Sequence, residues 1–142
     1  MATVAQLLDR KPRAIHSIEP DAPVLEAIQK MAEHGIGALL VVSGGQLKGI
    51  LSERDYARKV ILKGRSSSDT PVRDIMSSPV HTVPPALSSQ DCMKIMTERR
   101  VRHLPVLDGN QLLGMLSIGD LVRAVLEEQA QTIEQLETYI RS

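Results

Sequence analysis

The sequence contains no phenylalanine and no tryptophan, and Tyr56 and Tyr139 are its only aromatic residues apart from histidine. Proteins that hold single-stranded nucleic acid usually stack its bases on aromatic rings, and that platform is missing here. A lone cysteine, Cys92, can close no internal disulfide and has no CxxC partner. Its isolation suits a reducing compartment and gives a zinc site poor support. Charge of one sign is lacking as well: 17 basic side chains balance 17 acidic ones. With no basic block, the surface is not one built to hold a polyanion. No apolar run approaches the ~20 residues that cross a bilayer. The opening MATVAQLLDRKPR has no apolar core behind a basic head. These absences predict a cytoplasmic protein with neither a nucleic-acid nor a membrane partner. What remains, 42% hydrophobic and 24% charged residues in 142, is enough for one compact domain or two small units sharing a core.

The dominant feature present is an internal repeat. Residues 16–60 lie over 81–125 without a gap, and 15 of the 45 positions are identical. The shared residues include His16/His81, Pro20/Pro85, Leu39/Leu104, Gly49/Gly114, Ser52/Ser117 and Asp55/Asp120. Upstream, TVAQLL at 3–8 resembles PVRDIM at 71–76. The expected segments are a first unit over 3–64, a linker over 65–71, a second unit over 70–125 and a helical extension over 126–142.

Within each copy the periodicity changes in a fixed order. A short extended piece, IHSI or VHTV, is closed by PDAP or PPALS. An apolar stripe at helical spacing follows, Val24, Ala27, Ile28 and Met31 in one copy and Cys92, Met93, Ile95 and Met96 in the other. Next come strand-length runs, ALLVV and HLPVL, and the turn residues SGGQ and DGNQ that suit tight hairpins. A second strand and a further helical pattern, YARKVIL or LVRAVLEEQ, complete the unit. The predicted fold is therefore mixed α/β (α+β), two pseudo-symmetric β-α-β-β-α units. In the extension, Leu126, Ala130, Ile133, Leu136 and Ile140 form a stripe that either packs on its own domain or meets a second copy.

The phrase repeated most clearly is GILSERD at 49–55 and GMLSIGD at 114–120. Ser-x-x-Asp before an apolar helix has an ordinary reading as a capping box. It also has a functional one. A strand feeding a helix start presents unpaired N–H groups and the positive end of the dipole, which suits phosphate. An adjacent carboxylate can accept both vicinal hydroxyls of a ribose.

Two copies in this order, each ending in G-h-h-S-x-x-D, with RVRHLPVLD inside the second, resemble a tandem pair of cystathionine-β-synthase (CBS) domains, the Bateman module. The resemblance covers 3–125. It implies a dimerising, non-catalytic sensor that binds AMP, ADP or ATP, and in some members NAD or S-adenosylmethionine, in clefts between its units, on behalf of a protein partner. It makes Asp55 and Asp120 ribose ligands, supported by Ser52 and Ser117. The base would rest on Val80, His81, Val101 and Arg102 for the Asp55 cleft, and on Ile15, His16, Ile36, Gly37 and Ala38 for the Asp120 cleft. Arg102 and His103 would favour phosphate beside Asp120, while Arg54 offers a charge beside Asp55.

Two other readings compete. One is a ligand-free structural dimerisation module in which the serines are only caps. The other is a nucleotide-processing enzyme, which needs a positioned base and metal carboxylates that the motifs do not supply. No metal is expected: His16 and His81 recur at equivalent places but have no ligand-spaced partner. His34 reads as an exposed helix end stopped by Gly35, Cys92 as a small core residue, and the methionines as core filling.

Overall fold

The computed structural model describes residues 2–12 and 14–141. In chain order the elements are α1 (Val4–Asp9), β1 (Ser17–Ile18), α2 (Val24–His34), β2 (Ala38–Ser43), β3 (Gln46–Ser52), α3 (Glu53–Tyr56), α4 (Ser89–Arg99), β4 (His103–Asp108), β5 (Gln111–Ser117) and α5 (Ile118–Arg141). The mixed α/β fold class read from the sequence holds. Two compact units form, one from Ile15–His81 and one from the described residues of 1–14 and 82–142. Each has its own apolar cluster.

In the 15–81 unit, β1 runs parallel to β2 and β2 antiparallel to β3, with a bulge at Val41/Val42. Helix α2 buries Val24, Ala27 and Met31 against this sheet's cluster and stops at Gly35, whose φ of 63° is the left-handed conformation glycine adopts readily. Pro23 stands at its N-cap and offers no side-chain oxygen. The RSSSDTP stretch supplies the cap: the carbonyls of Thr70 and Ser67 accept from the Val24 and Leu25 N–H groups at 2.8 and 3.0 Å. Thr70 is buried, its Oγ1 donating to the Ser66 carbonyl at 2.7 Å. What reads as a linker is thus folded onto the helix it follows in space.

Past α3 the chain widens into a π-helical turn over Ala57–Ile61 where the sequence predicts regular helix. The second copy shows why. Ala124 is buried in α5, but the matching position here is Lys59, which stays half-exposed, and Val60 is buried instead. One extra residue in the turn brings Val60 to the core and leaves Lys59 free to reach polar partners.

The other unit repeats the hairpin in β4 and β5, with the bulge at Val106/Leu107. Its expected first strand, VHTV, contracts to one parallel bridge, Val83 to Val106. In the first copy Leu40 N–H donates to the His16 carbonyl at 3.3 Å. Pro105 holds the position equivalent to Leu40 and has no N–H to give.

Helix α1 opens with a Thr3/Gln6 capping box. Val4 and Ala5 N–H donate to the carbonyls of Leu87 and Pro85, as Val72 and Arg73 do to Ala22 and Pro20. The similar hexapeptides TVAQLL and PVRDIM therefore do the same job. The first serves residues 82–142 and the second residues 15–81, so the compact units are offset from the sequence copies.

Candidate functional site

The glycine that begins each repeated phrase is held by a close approach. A Cβ on Gly49 would lie 2.7 Å from Met76 Sδ and 2.9 Å from the Ser77 carbonyl, and one on Gly114 would lie 3.2 Å from a Leu8 methyl. Met76 and Leu8 end the two similar hexapeptides, so each segment crosses its hairpin at the same glycine. Three residues later the strand ends at Ser52 or Ser117. Ala38 pairs with Ser52 and His103 with Ser117. The first helical N–H groups, of Glu53 and Ile118, donate to the carbonyls of Gly37 and Arg102 at 3.0 and 2.8 Å. This local pairing sets Gly37 and Ala38 beside one motif, and Arg102 and His103 beside the other.

Both motifs form the capping arrangement. Ser52 N–H and Oγ–H reach Asp55 Oδ2 at 3.0 and 3.1 Å, and Asp55 N–H returns to Ser52 Oγ at 3.2 Å. Ser117 N–H donates to Asp120 Oδ2 at 2.8 Å, and Asp120 N–H to Ser117 Oγ at 3.2 Å. Part of the N–H array expected to be open for phosphate is therefore already satisfied. Each carboxylate also has a cation. Lys59 Nζ lies 3.2 Å from Asp55 Oδ1, which also accepts from Ser77 Oγ at 3.3 Å. Lys11 Nζ lies 2.8 Å from Asp120 Oδ2, and Arg123 binds Asp120 Oδ1.

Asp120 is the more enclosed, its side chain 6% exposed against 13% for Asp55. Burial pushes its carboxyl toward the neutral form. The hydrogen bond and charge of Lys11, with Ser117, outweigh this and hold it below the usual carboxylate range. The neighbouring His103 is shifted down, first by burial and then by Lys11, with Arg102 adding to the effect and Asp120 opposing it. A negative carboxylate thus sits between Lys11 and Arg123, and the charges of Asp120 and Arg102 both reach His103. Arg102 is exposed, as is Arg54 beside Asp55.

Sequence reasoning noted Lys59 near the Asp55 motif but paired neither lysine with its carboxylate. Lys11 follows α1 and bonds the Met115 carbonyl at 2.7 Å as well as Asp120, and nothing in its local sequence marks it. Lys59 lies four residues after Asp55, a spacing that could have identified it on a helix.

In the 15–81 unit the expected base contacts fall into different settings. Ile15 is exposed, Ala38 is buried, and His16, Ile36, Gly37, Val80 and His81 are half-buried, as is Val101 in the other unit. His16 stacks on His34 with ring centroids 4.0 Å apart, so His34 is more than a solvated helix end. Burial, then His34 and Lys30, lower the His16 pKa. Among the described residues no group of three or more His, Cys, Asp or Glu side chains could hold a metal, and no helix is long and apolar enough to cross a membrane. Cys92 is buried, its thiol pushed up to about 11 by burial and by Asp91.

A duplicated α/β hairpin-and-helix unit, closed twice by the same Ser-x-x-Asp junction, defines a tandem-domain protein of the kind that commonly serves regulation. The sequence model of the CBS domain matches residues 4–62 and again 72–127, and the chain belongs to the CBS-domain family. CBSX3, a mitochondrial CBS domain-containing protein of Arabidopsis thaliana, is 44% identical over 126 residues, which are 85% of this chain and 61% of that protein. The chain thus spans less than two thirds of that relative. YhcV of Bacillus subtilis is 33% identical over 118 residues, covering 83% of this chain and 84% of its own. Among solved structures, a CBS-domain protein from Burkholderia ambifaria superposes with a TM-score of 0.87 at 53% identity, over 90% of this chain and 96% of that one.

Proposed function

We propose that the chain is a non-catalytic regulatory module. It binds an adenine nucleotide (AMP, ADP or ATP, with NAD and S-adenosylmethionine as related ligands) at its Ser-x-x-Asp junctions, and as a homodimer it reports to a separate protein. One observation carries the reading: a carboxylate kept ionised and oriented at a strand-to-helix junction, held by Lys11 and Arg123 with His103 close enough to feel its charge. A ribose offers two hydroxyl donors to such a carboxylate, and its phosphates would draw the surrounding cations. The Asp55 junction repeats the carboxylate with Lys59 and Arg54. Membership of a family whose paired domains are commonly regulatory supports the same reading. Oligomeric relatives exist, among them a hexameric CBS-CP12 protein of cyanobacteria, 26% identical with a TM-score of 0.77.

A second reading is favoured by the capping geometry itself. Ser52 and Ser117 already bond their carboxylates, and both carboxylates already have ion-pair partners. On that reading the module dimerises and binds nothing.

Calorimetric titration of AMP, ADP, ATP, NAD and S-adenosylmethionine into wild type, Asp55→Ala and Asp120→Ala separates the two. We expect micromolar-to-millimolar binding of at least one ligand, weakened by one or both substitutions. Arg102→Ala should weaken phosphate-bearing ligands more than adenosine. Absence of heat and of thermal shift at millimolar concentration of every ligand would leave only the structural reading, and turnover of a ligand during incubation would revive an enzymatic one.

A further inference from the structure

The outer part of α5 is a helix without a cover. Beyond the matched family segment, which ends at 127, every described residue from Gln129 to Arg141 is exposed. Its own domain therefore does not bury the stripe that the sequence predicts to be covered. The exposed apolar residues of α5 include Val122, Leu126, Ile133, Leu136 and Ile140, between 44% and 80% accessible. With Gln129 they recur at spacings of 4, 3, 4, 3 and 4 residues, the alternation of a heptad seam rather than of a broad globular face.

The residue types at this seam specify the occupant. Leu126, Ile133 and Ile140 fall at a positions and Val122, Gln129 and Leu136 at d. Ile at a with Leu at d, as in the outer half, favours two parallel strands. Gln129 is the single polar layer. An unlike helix with an apolar residue there would bury an amide without a partner. An identical helix in parallel register sets Gln129 against its own copy, and each amide carries both donor and acceptor.

Charge agrees with this pairing. Glu127, Glu128 and Glu134 lie at b, c and b, away from the seam. The flanking parallel contacts join Val125 to Ala130 and Thr132 to Glu137, so no like charges meet. A coil this short would be marginal as a free peptide, but Leu121 and Ala124 anchor the start of α5 in its domain, so the helix is formed before it pairs.

We infer that residues 122–140 form an in-register parallel two-stranded coiled coil with the same segment of a second copy. This locates a dimer contact on α5 outside the nucleotide junctions, and it stands whether or not those junctions bind ligand. The test uses the full chain. In sedimentation equilibrium at micromolar concentration, wild type should be dimeric, and Ile133→Glu with Leu136→Glu should weaken association at least tenfold. Helical circular dichroism and thermal unfolding of the variant's monomer should show an intact fold, since both side chains are exposed. Gln129→Cys should form an intermolecular disulfide under mild oxidation, whereas wild type, whose buried Cys92 is the control, should not. Undiminished association of the double variant overturns the inference. So does failure of Gln129→Cys to cross-link, because an antiparallel or different contact separates the two copies of residue 129.

Discussion

The Asp55 and Asp120 junctions share a motif and a capping geometry, yet they are held by different parts of the chain. Asp55 caps a helix of 4 residues that gives way to a π turn, and its lysine comes from that same turn. Asp120 caps a continuous helix of 24 residues and takes its lysine from beyond α1, 109 positions away. The dipole behind Asp120 is the longer and more regular one, and its carboxylate is the more enclosed. A repeat can therefore preserve a local motif while the surrounding structure gives each copy a different electrostatic setting.

The largest expected effect tests that difference directly. Asp120→Ala removes a cap and leaves Lys11 and Arg123 without their anion, at a total cost of about 2–3 kcal/mol. Lys11 is 31% exposed and Arg123 67%, which keeps the figure below that of a fully buried pair. Asp55→Ala loses a cap and an ion pair whose lysine is 44% exposed, for about 1 kcal/mol. Urea unfolding of both variants measures the gap, and equal losses would mean that the two settings are energetically the same.

Next in size is the glycine. Gly49→Ala drives a methyl into Met76 Sδ and the Ser77 carbonyl. The sulfur can swing away, but the carbonyl belongs to backbone paired with Ile50, whose N–H it accepts at 3.1 Å. The expected loss is about 2 kcal/mol. Adding Met76→Ala should recover only part of it. Full recovery would show that the side chain alone sets the requirement for glycine.

Much of this was legible in the sequence, and the failures have physical causes. The duplication, the hairpins, the stop at Gly35 and the burial of Cys92 follow from residue types acting locally. The capping boxes were legible too, because Ser and Asp three apart meet within one turn. The missing strand before α4 depended on Pro105, a residue in the partner strand rather than in the segment itself. The π turn depended on whether position 59 or position 60 faces the core. Lys11 was invisible because its partner lies at the far end of the chain, and the grouping of residues 1–14 with 82–142 reflects packing that no local pattern records.

The smallest expected effect concerns pH. His103 and His16 stand at the start of β4 and just before β1, and burial lowers the pKa of each, helped by Lys11 at His103 and by His34 and Lys30 at His16. An unfolded histidine takes up its proton near pH 6.5. The folded one resists until lower pH, so below that point the unfolded chain binds more protons and stability falls. The contribution is complete above about pH 6.5 and is lost progressively as pH drops toward the lowered folded values. Asp120 has a depressed carboxyl, so its contribution is present above the ordinary carboxylate range and disappears only in stronger acid. The histidine and carboxylate windows are thus separate. Urea midpoints at pH 7.5 and 5.5 should differ for wild type, and His103→Gln should reduce the difference. His16→Gln should reduce it less, because solvent screens a ring whose stacking partner, His34, is exposed. A difference unchanged by His103→Gln would assign the slope to other groups and remove this distinction between the copies.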